Sequence, residues 1–207
     1  MRKSTSFRVG GVLLLACAGM TCGDGQLRTS TTPTPVDPAA GRYALTIIPS
    51  STCAALPDIV RARTYTATIE LRGADNYVVT LSGAKFLADE QIGLAAFTIH
   101  CGVSSGLGCN QFTASRDGDQ LRFHLIPNYK RLNDEFAGDG GSIVELIPPD
   151  DQQLGIEGTG LGRLDGTTIQ ASINGRVWYC PAPFSNFSEE CTVCENAANV
   201  AMTFTRR

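Results

Sequence analysis

The sequence predicts an all-β fold, an antiparallel up-and-down barrel of about eight to ten strands, with a β-sandwich as the alternative. Three observations predict it. From Gly41 onward, short runs alternate apolar and polar residues with a period of 2, the signature of half-buried strands. Clusters of Gly, Asp and Asn separate these runs at turn spacing. Helical periodicity is scarce, so crossover helices are missing and the strands must form a meander. Such a meander exposes two long edges unless it closes on itself or folds into two packed sheets.

Taken in order, Arg42–Ile48 puts Tyr43, Leu45 and Ile47 on one face, with Arg42, Ala44 and Thr46 on the other. Arg63–Arg72 repeats the pattern: Tyr65, Ala67, Ile69 and Leu71 against Thr64, Thr66, Thr68 and Glu70. Gly73-Ala74-Asp75-Asn76 turns the chain into a strand over Tyr77–Ser82. Leu94–His100 and Gln111–Ser115 read as further strands, and Asp117-Gly118 is a hairpin turn into Gln120–Ile126. Ser142–Ile147, Gln153–Arg163, Thr167–Cys180 and Asn199–Thr205 complete the set. Asn174-Gly175 reads as a hairpin or as a bulge in one long strand, which moves the strand count between nine and ten. Leu56–Arg61 and Leu87–Gln91 each have room for one helical turn, and residues 127–141 read as a long polar loop. If the sheet closes, Arg42–Ile48 pairs with Asn199–Thr205, and Tyr43, Leu45 and Ile47 share an interior with Val200, Met202 and Phe204.

The N-terminus carries an address. Val9–Cys17 (VGGVLLLAC) follows Arg2, Lys3 and Arg8. Its apolar run is far short of the roughly 20 residues a membrane-spanning helix needs. Basic residues, a short apolar run and a small residue before the cut make residues 1–16 a secretory signal. Leu14-Leu15-Ala16-Cys17 resembles the lipobox of bacterial lipoproteins, which implies that Cys17 is acylated and becomes the mature N-terminus. Ala18 after it resembles lipoproteins sorted to an outer membrane, facing periplasm or surface. Cys22, after Gly19-Met20-Thr21, is a second candidate for the lipid. An unlipidated cut near Ala16–Thr21 is the alternative. Residues 17–40 then form a solvated Thr-, Pro- and Gly-rich linker stiffened by Pro33, Pro35 and Pro38, and residues 41–207 form the barrel domain.

Removing residues 1–16 takes away Arg2, Lys3 and Arg8 but no acidic residue, leaving 14 basic against 20 acidic side chains, a net of about −6. Without a basic patch, nucleic acid is excluded as a partner.

Gly41-Arg42-Tyr43 opening the first strand, and Phe204-Thr205-Arg206 closing the last, resemble the calycin group of lipocalins and avidins. Those families begin with Gly-x-Trp and place a late Arg across it; here Tyr43 stands in the Trp position and Arg206 supplies the cation. The resemblance implies a lipocalin-like barrel over residues 41–207. Cys53, Leu56-Pro57 and Arg63-Thr64-Tyr65 also resemble bacterial lipoproteins with a comparable barrel, from which no activity carries over.

Besides Cys17 and Cys22 the chain has Cys53, Cys101, Cys109, Cys180, Cys191 and Cys194, an even set that reads as disulfides in an exported domain. Cys101 and Cys109 bracket a Gly-rich loop and are expected to pair. One of Cys191 and Cys194 is expected to return to Cys180, and the other to reach Cys53. A zinc site on Cys53, Cys180, Cys191 and Cys194 is disfavoured, because only the last two have ligand spacing and an oxidising compartment opposes it.

Catalytic motifs fall short. Gly102-Val103-Ser104-Ser105-Gly106 matches G-x-S-x-G, but no helix follows it, and His124 and Asp119 belong to one hairpin. Gly158-Thr159-Gly160-Leu161-Gly162 has the wrong spacing for a dinucleotide site and suits strand coiling at a barrel bend. Asn133-Asp134-Glu135 lacks the alternating ligands of a calcium loop. The expectation is therefore a non-enzymatic protein without cofactor or metal. Its leading function is to bind a small, apolar molecule inside the barrel, with Tyr65, Ile69, Phe97, Leu121, Phe123 and Trp178 as wall or core candidates. The alternative is a surface module that binds a protein or glycan through loops bearing Phe184, Phe187 and Tyr129. A hollow interior favours the first, a filled one the second.

Overall fold

The computed structural model describes residues 37–87, 92–94, 97–100, 106–125, 128–130, 141–149, 151–181 and 190–207, with side chains at all but 92–94, 97–100 and 128–130. Every described residue belongs to one compact unit, Val36–Arg207.

Among the described residues, thirteen strands follow one another: β1 (Gly41–Ile48), β2 (Arg63–Gly73), β3 (Asn76–Ser82), β4 (Lys85–Phe86), β5 (Ile92–Leu94), β6 (Phe97–His100), β7 (Asn110–Asp117), β8 (Gln120–Leu125), β9 (Asn128–Lys130), β10 (Ser142–Ile147), β11 (Gln152–Asp165), β12 (Thr168–Cys180) and β13 (Thr192–Arg206). Eight of them close an antiparallel barrel in the order β1-β2-β3-β7-β8-β11-β12-β13. Closure is direct: β1 lies against β13 from Tyr43↔Arg206 to Ile48↔Ala201. The sandwich alternative is thereby excluded.

Two long connections leave the wall and add strands of their own. The region expected as one strand over Leu94–His100 is instead a hairpin, with β5 paired to β6 as close to the turn as Leu94↔Phe97. Residues 127–141, read from their polarity as loop, supply β9, which pairs with β6 through Thr98↔Lys130. These three strands form a second small sheet. β10 returns to the barrel and shares a wall position with β8: β11 pairs with β10 up to Ile143↔Ile156 and with β8 from Gly158↔Leu125. β4, not anticipated, adds to the outer edge of β10.

The two ends of the barrel differ. Tight turns at 73–76, 117–120 and 165–168 close one end. The four longer connections all leave from the other end: 49–62, 83–109, the stretch from β8 to β11, and 181–191.

Alternation decides what faces inward. Tyr43, Leu45 and Ile47 of β1 and Tyr65, Ala67 and Ile69 of β2 are buried in one core cluster. Leu71 continues the pattern in sequence but is 49% exposed, because it lies next to the turn, past the filled interior. The Asn174-Gly175 pair makes no hairpin; β12 runs straight through it. The irregularity lies across from it, on β13, whose register against β12 slips by one residue between Ile173 and Gly175 and again between Gly175 and Val177. Asn196 and Asn199, at φ 57° and 59°, take up the extra residues in the left-handed region that Asn tolerates. Asn174 Oδ1 accepts a hydrogen bond from the Asn199 backbone N–H at 3.0 Å. These bulges extend β13 back to Thr192, well before the expected start at Asn199.

At the tight-turn end the interior is filled by the wall itself. Phe123 of β8 stacks on Phe204 of β13 at 5.4 Å, bridging strands that are not neighbours. Tyr43 and Phe112 pack edge-on against this pair at 6.0 and 6.2 Å. Gly162 makes room, since a Cβ there would stand 2.8 Å from the Phe123 ring. Inward-facing residues from all eight wall strands join in a single cluster.

Candidate functional site

The loop-bearing end holds most of the unusual chemistry, beginning with the segment 49–62. Ser50 Oγ accepts the Thr52 N–H at 3.2 Å and starts a short 3-10 turn over Ser51–Cys53. Pro57, extended at φ −65°, sets the entry to a second turn over Asp58–Val60, the one expected near Leu56–Arg61. The two turns bring Cys53, Leu56 and Val60 to one side, where all three are buried in the barrel core cluster. The segment therefore plugs the mouth. A disulfide from Cys53 to Cys194 on β13 fastens it across 141 residues of sequence.

Beneath the rim sits a buried carboxylate. Glu145 occupies an inward position on β10 between Ile143 and Ile147, with only 2% of its side chain exposed. Arg63 Nε donates to Glu145 Oε2 at 2.8 Å, Arg63 Nη2 donates to Oε1, and the Tyr65 hydroxyl donates to Oε2 at 2.7 Å. Arg63 Nη1 also donates to the Ile59 carbonyl at 3.3 Å, tying the plug to the pair. The hydrogen bond to Glu145 holds the Arg63 guanidinium above its usual pKa. Burial, and then the Glu145 charge, push the Tyr65 phenol well above the usual tyrosine range. The arginine stays charged and the tyrosine stays a donor. These three hydrogen bonds tie β2 to β10 at the mouth.

A second buried carboxylate lies on the outer face of the wall. Glu157 of β11 faces Arg176 of β12, which donates to Oε2 at 2.8 Å from Nη2. Trp178 Nε1 donates to the other oxygen, Oε1, at 2.8 Å. Burial pushes the Glu157 carboxyl up despite the Arg176 charge. The Trp178 ring lies over Gly155, where a Cβ would stand 1.9 Å from it. Beside it Cys180 is bonded to Cys191, and Cys109 and Val144 complete a small outer cluster.

The tight-turn end is sealed by arginines. Arg206 Nη2 donates to the Tyr43 hydroxyl at 2.7 Å, to the Ala40 carbonyl at 3.1 Å and to the Pro38 carbonyl. This is the cross-strand placement that the calycin resemblance implies. Nearby Asp37 accepts from the Tyr77 hydroxyl at 2.8 Å and from Arg116 at 3.3 Å. Burial pushes the Asp37 carboxyl up, but the hydrogen bonds from Tyr77, Ala39 and Ala40 and the Arg116 charge outweigh it and leave the pKa lowered.

Of the residues expected to line a ligand site, Tyr65, Ile69, Leu121 and Phe123 do face the barrel interior. Trp178 does not: one position past inward-facing Val177, it points outward into the second cluster. Phe97 lies on β6 in the small sheet, not in the barrel wall, and its side chain lies outside the described residues. So do the side chain of Tyr129 and residues Phe184 and Phe187. Cys53–Cys194 and Cys180–Cys191 form as disulfides, which indicates an oxidising, exported environment. Cys109 is disulfide-bonded as well, while Cys101, Cys17 and Ser104 lie outside the described residues. Asp119 is engaged by Arg163 at 2.8 Å. Sequence reasoning missed Glu145 and Glu157. For Glu145 the signal was present: a lone carboxylate in the apolar run Ser142–Ile147. No known protein family, curated protein or solved structure matches the chain.

Proposed function

We propose that this chain is an exported, lipid-tethered, non-enzymatic binding module, a lipocalin-like barrel acting as a filled scaffold whose loop-bearing end meets a protein or glycan. The observation that carries this is the interior. Tyr43, Leu45, Ile47, Phe112, Phe123, Ile169, Met202 and Phe204 keep no exposed surface, so the space a ligand would take is occupied by side chains. The described chain starts at Asp37, held by Tyr77 and Arg116 at the tight-turn end. A second reading, a small apolar molecule held in the barrel, draws support from the mouth, where the filler is segment 49–62 and not the wall.

Two measurements test the proposal. Cys17→Ser is expected to move the protein from the membrane to the soluble fraction, and unchanged partition refutes the tether. A photo-crosslinking residue at Ile59, on the loop-bearing end, is expected to capture envelope components in cells; one at Leu71, on the opposite end, is not. Both side chains are about half exposed, so access is matched. Equal capture, or capture from Leu71 alone, overturns the assignment of the loop-bearing end.

A further inference from the structure

We infer that segment 49–62 is a redox-latched plug: opening the Cys53–Cys194 disulfide releases it from the mouth while the barrel stays folded. The inference rests on how differently the two disulfides are supported. Cys180–Cys191 joins the facing ends of β12 and β13, strands already paired one residue away at Tyr179↔Thr192. Breaking it leaves that ladder in place. Cys53–Cys194 joins β13 to a segment that adds no strand to the wall. The turn hydrogen bonds of the segment are internal: Cys53 N–H to Ser50, Leu56 N–H to Cys53, Val60 N–H to Pro57 and Arg61 N–H to Asp58. Its described ties to the barrel are the disulfide, the apolar side chains of Leu56 and Val60, and the Arg63 bond to the Ile59 carbonyl.

A segment held that way opens locally, as a unit separate from the strand ladders. Cys194 is half-buried, which leaves a line of approach for an attacking thiolate. A dithiol reductant supplies the two electrons and two protons. The product is two protein thiols, on Cys53 and Cys194, and a disulfide on the reductant. Release uncovers the apolar undersides of Leu56 and Val60 and the mouth below them, and frees an Arg63 N–H from the Ile59 carbonyl. What is uncovered is apolar surface beside one N–H of the Arg63 guanidinium, whose charge stays paired with Glu145, and it suits an apolar group bearing a neutral hydrogen-bond acceptor.

The test uses the full chain with its disulfides formed, and compares it with Cys53→Ser/Cys194→Ser and with Cys180→Ser/Cys191→Ser. Trypsin cleavage after Arg61, inside the plug, is expected to speed up at least about tenfold in the first variant alone, in proportion to the open fraction. Cooperative thermal unfolding and the strand circular dichroism signal should persist. The probe 8-anilinonaphthalene-1-sulfonate should bind the first variant saturably and leave the oxidised wild-type chain dark. In a parallel titration of wild type with dithiothreitol, iodoacetamide should label Cys53 and Cys194 while the barrel signal is unchanged. Unchanged Arg61 cleavage in a folded first variant overturns the latch. So does loss of the barrel when these two cysteines are removed or reduced, since the disulfide would then be a structural staple. Strong probe binding by oxidised wild type would overturn the filled-scaffold reading as well, which separates the two failures.

Discussion

Glu145 and Arg63 should depend on each other unequally, and the inequality can be worked out from their surroundings. Replacing Arg63 by Met removes the cation and leaves a carboxylate only 2% exposed, with Tyr65 as its remaining hydrogen-bond donor of the two. Removing one partner of a buried pair in this way costs about 3–5 kcal/mol. Replacing Glu145 by Leu leaves a guanidinium that is already 23% exposed and can turn to water. That loss should be smaller, about 1–3 kcal/mol. The double variant Arg63→Met/Glu145→Leu removes both charges, so it should recover part of the loss, with a coupling on the order of 1–3 kcal/mol. The assay is equilibrium unfolding in guanidinium chloride with disulfides intact, followed by the emission of Trp178, the one tryptophan in the chain. Additive losses, or a costlier Glu145→Leu than Arg63→Met, would refute the reasoning: the mouth would then be wetter than its burial implies.

Two further expectations concern the outer cluster. Because burial raises the Glu157 carboxyl above its ordinary 4.5, its contribution to stability is complete below that value and is lost as pH rises through the folded-state pKa. Trp178 emission should titrate with a midpoint above 4.5 in wild type and stay flat in Glu157→Gln; a midpoint at or below 4.5 would show the carboxyl to be better solvated than its position suggests. Gly155→Ala places a methyl 1.9 Å from the Trp178 ring, so the ring must move. We expect a loss of about 1–3 kcal/mol with a red-shifted emission, and wild-type emission in that variant would contradict the close approach.

Much of the barrel was legible in the chain. Alternation in Arg42–Ile48, Arg63–Arg72 and Gln120–Ile126 is a local property, and a strand of period 2 can bury only one face. Closure of β1 on β13 followed from the same faces, because two apolar sets at the ends of a meander have nowhere else to go. Asp117-Gly118 marked its hairpin for a reason equally local: Gly118 sits at φ 62°. The sealing of Tyr43 by Arg206 lay within reach of a resemblance carried by a handful of residues.

What tertiary structure decided has a different character. β13 before Asn199 alternates with a period near 3, because two bulges each insert a residue, and no local pattern announces where a partner strand will tolerate them. Polarity alone made 127–141 look like loop, although Asn128–Lys130 finds strand partners in β6, itself part of a distant connection. Glu145 could be noticed in an apolar run, but its partner Arg63 lies 82 residues away and is brought to it only when the sheet closes. The plug depends on the same closure: Leu56 and Val60 have no strand pattern, and burial comes to them from a mouth that exists only once eight strands have met. Pattern along the chain determines which side of each strand is apolar; the closed barrel determines which distant groups then share the space, because each inward side chain must be packed or paired by whatever arrives from across it.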